Sequence, residues 1–288
     1  MNFFGPKEIK YFVSLWLKQN KALLKDRVII DLPSGNGVTS RELKDSGAQV
    51  FAYDLIPEFF REKDISCQFA DLNQDLPIKS NIADYIICQE GIEHIADQIQ
   101  MFKEFSRIMK LGGRLLVTTP NYSNLRSRLS YLLGECEYYG KFMPPNEIDS
   151  LWFATPNSAQ SLDENSVQNS ESVYYGHIFL VGIFKLRLFA QLSGLKIHKI
   201  HYTRANDTSL LLMILFYPFI LWFNWRCLKR SLRRSPENKK LWYELFSLST
   251  NPKILLDNNL FVEFEKIENP QESIAKFKQK HQAQAFIT

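Results

Sequence analysis

Residues 28 to 37 constrain this chain more than any other ten: Val-Ile-Ile-Asp-Leu-Pro-Ser-Gly-Asn-Gly. A β-branched run that ends in an acid, Asp31, reads as a buried strand. Gly35 and Gly37 follow, and a helical pattern then opens at Val38. Glycines in such a turn let the backbone close on a ligand, and the first helical N–H groups point at it. Plain strand-to-helix connections use glycine as well, so on these ten residues alone a binding turn and a structural turn are equally good readings. A second short strand, 49–54, ends in Asp54. An acid at that place in a parallel nucleotide-binding sheet can hold both hydroxyls of a ribose. The dinucleotide fingerprint is not met. Pro33 and Ser34 stand where its glycines begin, and Val38-Thr39-Ser40 follows Gly37 in place of a third glycine.

Further segments complete a pattern. Phe69-Ala-Asp71-Leu72, Asp84-Tyr-Ile-Ile-Cys-Gln-Glu90 and Met109-Lys-Leu-Gly112-Gly113-Arg-Leu-Leu-Val-Thr-Thr-Pro120-Asn121 follow in order. Taken with the first turn and Asp54, they resemble the class I S-adenosylmethionine-dependent methyltransferases, closely over about residues 26 to 122 and more loosely over 174 to 204. The resemblance implies an α/β fold: a doubly wound, seven-stranded Rossmann-like sheet with an antiparallel last strand, here with a hydrophobic helical insertion. It implies S-adenosyl-L-methionine as cofactor, held by Asp31, Pro33, Ser34, Gly35, Gly37, Asp54, Leu55, Asp71, Leu72 and Gln89. Asp54 would take the ribose, Asp71 the adenine amino group, and Gln89 the methionine moiety. The alternative for Asp71 is a cap on the turn before Leu72-Asn73. Pro33 departs from the family's first glycine: its φ is fixed and it has no N–H, but its carbonyl can still face a ligand.

The expected organisation is an N-terminal helix (1–25), a cofactor-binding core (26–205), an apolar and basic helical insertion (206–254), a final strand (255–270) and a polar, frayed tail (271–288). The core reads as five strand–helix repeats up to residue 122. A helix then runs into an irregular stretch broken at Met143-Pro144-Pro145, and 154–173 is a polar loop read as mobile. In the family such a segment commonly covers the acceptor. A helix over 178–193 and a strand over 194–202 come next, and Asn259-Leu-Phe-Val-Glu-Phe-Glu-Lys266 alternates as the last strand.

Charge is distributed unevenly. Residues 226 to 240 carry seven basic side chains and one acid, so the rest of the chain holds 28 of the 35 basic residues against 30 of the 31 acids. The main body is therefore no nucleic-acid surface, and nucleic acid is an unlikely partner. The basic cluster follows the most apolar run, Leu210 to Phe223, which is short for a span and is interrupted by Pro218. Tyr217, Trp222 and Trp225 favour a membrane interface, and Arg226, Lys229, Arg230, Arg233 and Arg234 suit anionic headgroups. Two readings stay open: a partly inserted helix with a basic collar, or a buried helix followed by a solvated one. Cys67, Cys88, Cys136 and Cys227 are far apart and form no metal-ligand pairs, which points to reduced thiols and a cytoplasmic setting, with peripheral association at the inner membrane face.

A sulfonium methyl is already activated, so the chain must supply positioning and a deprotonated acceptor. Glu90-Gly-Ile-Glu93-His94 places three ligand-type side chains at i, i+3 and i+4, on one face if the segment is helical. With His177 they resemble the Mg²⁺ site of small-RNA 2′-O-methyltransferases and the acids and histidine of ubiquinone-pathway O-methyltransferases. Glu90, Glu93, His94 and His177 are thus candidate ligands for Mg²⁺ or Mn²⁺, and His94 and His177 candidate metal-free general bases. A Glu-His pair here equally braces a helix. Tyr174, Tyr175 and Trp152 line an acceptor site or fill a core, and His198 and His201 read as structural. The leading function is O-methylation of a small lipid, prenylated or glycan-linked acceptor at the cytoplasmic membrane face. The alternatives are a non-catalytic S-adenosylmethionine-binding subunit docked on a membrane enzyme, and a metal-dependent RNA 2′-O-methyltransferase. The oligomeric state is open.

Overall fold

Strand β1 (Val28–Asp31) takes the centre of a sheet because its neighbouring isoleucines serve opposite faces, and both Ile29 and Ile30 are fully buried. A strand apolar on both sides needs cover on both sides, as parallel sheets have. The computed structural model describes residues 6, 8–134 and 179–285. The expectations for Cys136, Met143-Pro144-Pro145, Trp152, the 154–173 loop, Tyr174, Tyr175 and His177 fall outside the described residues. The other strands are β2 (Gln49–Asp54), β3 (Cys67–Phe69), β4 (Ala83–Gln89), β5 (Met109–Pro120), β6 (Leu195–Ile200) and β7 (Asn259–Lys266), in the order β3-β2-β1-β4-β5-β7-β6. The first five pair in parallel, and β7 runs antiparallel to both β5 and β6. The sheet is the seven-stranded, doubly wound one expected, with an antiparallel final strand.

Alternation sorts the core into two layers. Ile30, Ile86, Cys88, Leu115, Val117 and Phe264 pack with Phe102 and Phe105 of helix α4 (Gln98–Ile108), and with Ile183 and Leu186 of α6 (Ile183–Leu192); α5 (Leu125–Gly134) follows β5. Ile29, Tyr85, Ile87, Leu116 and Phe261 pack with Phe12, Trp16 and Leu17 of α1 (Ile9–Gln19), Leu24 of α2 (Lys21–Leu24) and Leu43 of α3 (Val38–Asp45). The expected entry helix is two pieces, because Asn20 closes the first turn back onto the Trp16 carbonyl through both its N–H and its side chain.

Three expectations are corrected. Five strand–helix repeats were expected, but only α3 and α4 separate the first five strands as α-helices; a 3₁₀ turn, Pro57–Phe59, follows β2. Pro57, Pro77 and the Asp71–Asn73 side-chain turn interrupt the helical pattern there. The tail expected to fray is a helix, α10 (Pro270–Ala285). Lys276 pairs with Glu268, and the Ser273 hydroxyl bonds the Gln191 carbonyl, so the helix docks by polar contacts that an apolar count does not register. The apolar run of fourteen lies within one helix of 28 residues, α7 (Asp207–Arg234), which passes through Pro218. Asn206 caps its N-terminus, accepting from Ser209 N at 3.0 Å, and so starts the helix upstream of the run. The chain then turns at Pro236–Asn238 into α8 (Lys239–Thr250) and α9 (Pro252–Leu256) before β7.

Strand β7 carries the sheet's buried ion cluster. Glu263, 3% exposed, accepts from Arg114 Nη1 of β5 at 2.7 Å and lies 3.1 Å from His201 Nε2. Burial would raise the Glu263 pKa, but the His201 and Arg114 contacts outweigh it and hold the carboxyl below its usual range. His201 also packs against Trp16 and Phe261, and His198 lies 3.4 Å from Glu265, so both histidines belong to the scaffold. Glu263→Ala leaves the half-buried Arg114 without its partner and is expected to cost about 1–3 kcal/mol in urea unfolding. A loss under about 1 kcal/mol, the range of a surface pair, would contradict this account of the cluster.

Candidate functional site

The site forms where β1, β2 and β4 end side by side. After Asp31 the backbone stays tied to both neighbours: Leu32 N donates to Ile87 O at 3.0 Å and Ser34 N to Tyr53 O at 2.9 Å. Gly35 and Gly37 take φ of +52° and +89°, a region that side chains disfavour. A Cβ on Gly37 would also lie 2.8 Å from both the Phe60 ring and Glu62 Cγ, so this glycine is required twice over. Pro33, the departure from the expected glycine, has its own accommodation. A Cβ on Gly91 would sit 2.6 Å from Pro33 Cδ, so the glycine after β4 makes room for the proline after β1.

Asp54 joins the two strand ends. Its Oδ2 accepts from Gly35 N at 2.8 Å and its Oδ1 from Ile56 N at 3.0 Å. A carboxylate has about four acceptor positions, so each oxygen keeps one free for a ligand hydroxyl. Asp31 is different: it is 1% exposed, its Oδ2 takes the Ser40 hydroxyl at 2.5 Å, and its Oδ1 has no hydrogen-bond partner among the described residues. Burial pushes its pKa up to about 7 against the lowering effect of the Ser40 bond. At the end of β4, Gln89 Oε1 accepts from Thr39 Oγ1 at 3.1 Å, which leaves its amide N–H groups for other partners. Ser34 meets Cys67 at 3.3 Å. Ala70 N donates to Asp54 O at 2.9 Å, which brings the end of β3 to the same place. Phe69 there is 54% exposed, Leu55 is half-buried, and Leu72 is drawn into the core. Asp71 Oδ1 accepts from Asn73 N at 2.8 Å and from its side-chain amide at 3.2 Å, capping the turn.

The expected helical face of Glu90, Glu93 and His94 does not form. Glu90 has φ +51°, Gly91 takes φ −121° and ψ −35°, outside the helical region, and only Ile92–His94 turns, as a 3₁₀ segment. Glu93 is fully buried and accepts from Thr119 Oγ1 at 2.9 Å, while its carbonyl takes Phe179 N at 3.0 Å. It pins the end of β5 and the approach to α6. Among the described residues no group of three or more His, Cys, Asp or Glu side chains is arranged to hold a metal ion. Mg²⁺ or Mn²⁺ therefore does not fit the triad as it was read. Glu90 keeps a buried Oε1 with no hydrogen-bond partner among the described residues; burial raises its pKa to about 7, against lowering by Thr118 and Lys10.

Comparison with known proteins agrees with this arrangement. Residues 30–117 match the family model described as "Methyltransferase domain". A Coxiella burnetii protein named "Ubiquinone biosynthesis O-methyltransferase" is 27% identical over 165 residues, covering 54% of this chain and 67% of the relative. An Aeromonas salmonicida protein of the same name is 23% identical over 172 residues, covering 56% and 71%. The fold matches a solved S-adenosylmethionine-dependent methyltransferase of Mesorhizobium loti with a TM-score of 0.50 at 15% identity, covering 87% of this chain and 96% of that one. The chain carries a methyltransferase domain over residues 30–117 and is an S-adenosylmethionine-dependent methyltransferase. Its residues fit that cofactor: the partnerless, buried Asp31 oxygen suits a cationic amino group, and Asp54 retains acceptor capacity for a ribose.

Ser40, Thr39 and Thr119 each hold a candidate site residue in place by a hydrogen bond, and nothing local in the sequence marks them for this role. A test follows from Asp31. Its pKa of about 7 lies above its ordinary 3.8, so the folded chain keeps the proton that the unfolded chain has lost. The associated stability is complete below about pH 4 and is lost as pH rises through 7. Glu90 acts in the same direction. In thermal melts of the cofactor-free protein, Asp31→Asn should flatten the fall in midpoint between pH 5 and 8, and Asp31→Asn with Glu90→Gln should flatten it further. Parallel profiles for wild type and both variants would contradict the assignment.

Proposed function

We propose that this methyltransferase transfers its methyl group to a hydroxyl of a small lipid, prenylated or glycan-linked acceptor at the cytoplasmic face of the membrane. The observation that carries this reading is where the apolar helix leaves the sheet. β6 is antiparallel to β7, which is antiparallel to β5, so β6 ends at the same edge as β1 and β4. The chain goes from that edge into α7, whose Leu211, Ile214, Leu215, Phe219, Trp222 and Phe223 are all more than half exposed. An apolar surface that starts beside the cofactor edge suits an acceptor with an apolar body. Relatives named as ubiquinone biosynthesis O-methyltransferases support oxygen as the accepting atom.

S-adenosylmethionine, when bound, supplies a methyl group activated by a sulfonium. Gly35 and Gly37 let the first turn approach the cofactor closely, with Asp54 and Asp31 toward its ribose and amino group, Asp71 with Leu55 and Leu72 around the base, and Gln89 toward the methionine part. The acceptor hydroxyl must lose a proton as its oxygen attacks. Glu90, at the end of β4 with a buried oxygen that has no partner among the described residues and a pKa near 7, is the group this reading has take it, alongside His94 on the adjoining 3₁₀ turn. No step is assigned to a metal.

The direct test incubates the purified chain with methyl-labelled S-adenosylmethionine and extract of its source cells, then separates lipid, polysaccharide, RNA, protein and small-molecule fractions. Label is expected in the lipid or lipid-linked glycan fraction, falling at least about tenfold for Glu90→Gln if this group takes the proton. Label in RNA would replace this reading with an RNA 2′-O-methyltransferase. Cofactor binding with no label in any fraction would favour a non-catalytic subunit.

A further inference from the structure

The exposed side of α7 is continuous. At 3.6 residues per turn, Leu211, Ile214, Leu215, Phe219 and Trp222 share one face. The opposite face packs inward: Tyr217 Oη donates to Thr250 O at 3.1 Å, and Leu228 is 9% exposed. The outer face then turns cationic without changing side, through Arg226, Lys229, Arg230 and Arg233. The change falls at two tryptophans, each with a cation over its ring: Arg226 is 5.0 Å from Trp222, and Lys229 is 3.8 Å from Trp225. An apolar strip, indole rings and a cationic end, in that order, complement hydrocarbon, interface and phosphate.

By length and composition α7 could cross a membrane: it has 28 residues, and its apolar part is almost entirely unburied. The neck of the excursion forbids it. Asn206 N donates to Leu256 O at 2.8 Å and Asn258 N to Arg204 O at 3.0 Å, with Ala205 and Asp257 bridged between them. Asn121, just past β5, bonds the Ile254 and Asp257 carbonyls at 2.8 Å each. The chain therefore leaves and re-enters the sheet at one point. If α7 crossed, α8 would have to cross back, but it has 12 residues, about 18 Å of helix, against a hydrocarbon core of about 30 Å. It also carries Lys239, Lys240 and Glu244, the last tied to Arg187 of α6 at 2.7 Å.

We infer that α7 lies along a single leaflet of an anionic phospholipid bilayer, its apolar strip sunk below the headgroups and its basic end at the phosphates, with the cofactor edge of the sheet brought to that leaflet. This deepens the membrane-face reading and rests on it. The helix is a one-sided dock and not a span.

The full-length protein is tested by flotation with sealed vesicles of phosphatidylcholine, with and without phosphatidylglycerol. Binding is expected to the anionic vesicles, with at least tenfold weaker binding to neutral ones, and full release by alkaline carbonate. The tryptophan emission should shift to the blue and be quenched by lipids brominated near the headgroup, a response lost in Trp222→Phe with Trp225→Phe. Each basic residue near an anionic surface contributes roughly fivefold, so Lys229→Glu with Arg230→Glu and Arg233→Glu should weaken anionic-vesicle binding by about a hundredfold or more. Ile214→Ser with Phe219→Ser should abolish the blue shift, and neither set should change the affinity for S-adenosylmethionine. Retention after carbonate would overturn the inference in favour of a span. Absence of vesicle binding, with a dimer that Ile214→Ser and Phe219→Ser dissolve, would assign the face to a second copy. Vesicle binding without labelled lipid would defeat only the acceptor reading; labelled lipid in detergent without vesicle binding would defeat only this inference.

Discussion

The site depends on a carboxylate held where water cannot reach it. Asp31 ends the strand that is buried on both faces, so its side chain has nowhere exposed to go. Ser40 satisfies one of its oxygens and leaves the other without a partner among the described residues. Burying an ionised group without compensation is costly, and burial accordingly moves Asp31 toward its neutral form. A ligand that brings a positive charge to that oxygen removes the cost. The first turn is therefore built around an unmet requirement, and the glycines on either side of Asn36 give it the positive φ values its path needs.

The same strand ends fix where everything else can happen. Asp54 holds the first turn to the second strand through Gly35, and Gln89 holds the fourth strand to the start of α3 through Thr39. Because β6 ends at this edge and β7 begins there, the long excursion between them is anchored at the edge where β1, β2 and β4 end by topology alone. The placing of the excursion's apolar face and of the first turn at one edge thus follows from one strand order. Hydrogen bonds from Asn121 to the excursion's neck tie them further to the end of β5.

The parts of this molecule legible in the sequence are those whose signal is local. β1, β2, β4 and β5 were readable because a buried parallel strand is a short apolar run closed by a turn, and β7 because its residues alternate. Gly37 was readable because a positive φ calls for glycine. What was misread depended on distant partners. Glu90, Glu93 and His94 have helical spacing, but Gly91 packs against Pro33 from another strand end, and Thr119 draws Glu93 inward. The helical insertion was legible, but its first helix running unbroken through Pro218 was not, and α10 was hidden because its docking is polar. Ser40 and Thr39 sit one turn into α3 and look like ordinary helix residues until the fold brings Asp31 and Gln89 beside them.

The central claim is that the turn from Asp31 to Gly37, closed by Asp54, is the cofactor site. Calorimetric titration of S-adenosylmethionine into wild type and Asp54→Ala tests it most directly. The account predicts saturable one-to-one binding to the wild type and at least about a tenfold loss in Asp54→Ala, equivalent to roughly 1.4 kcal/mol, with the fold retained by circular dichroism. Equal affinity in the two proteins would mean that the cofactor is held elsewhere, and the reading of the sheet edge would fail.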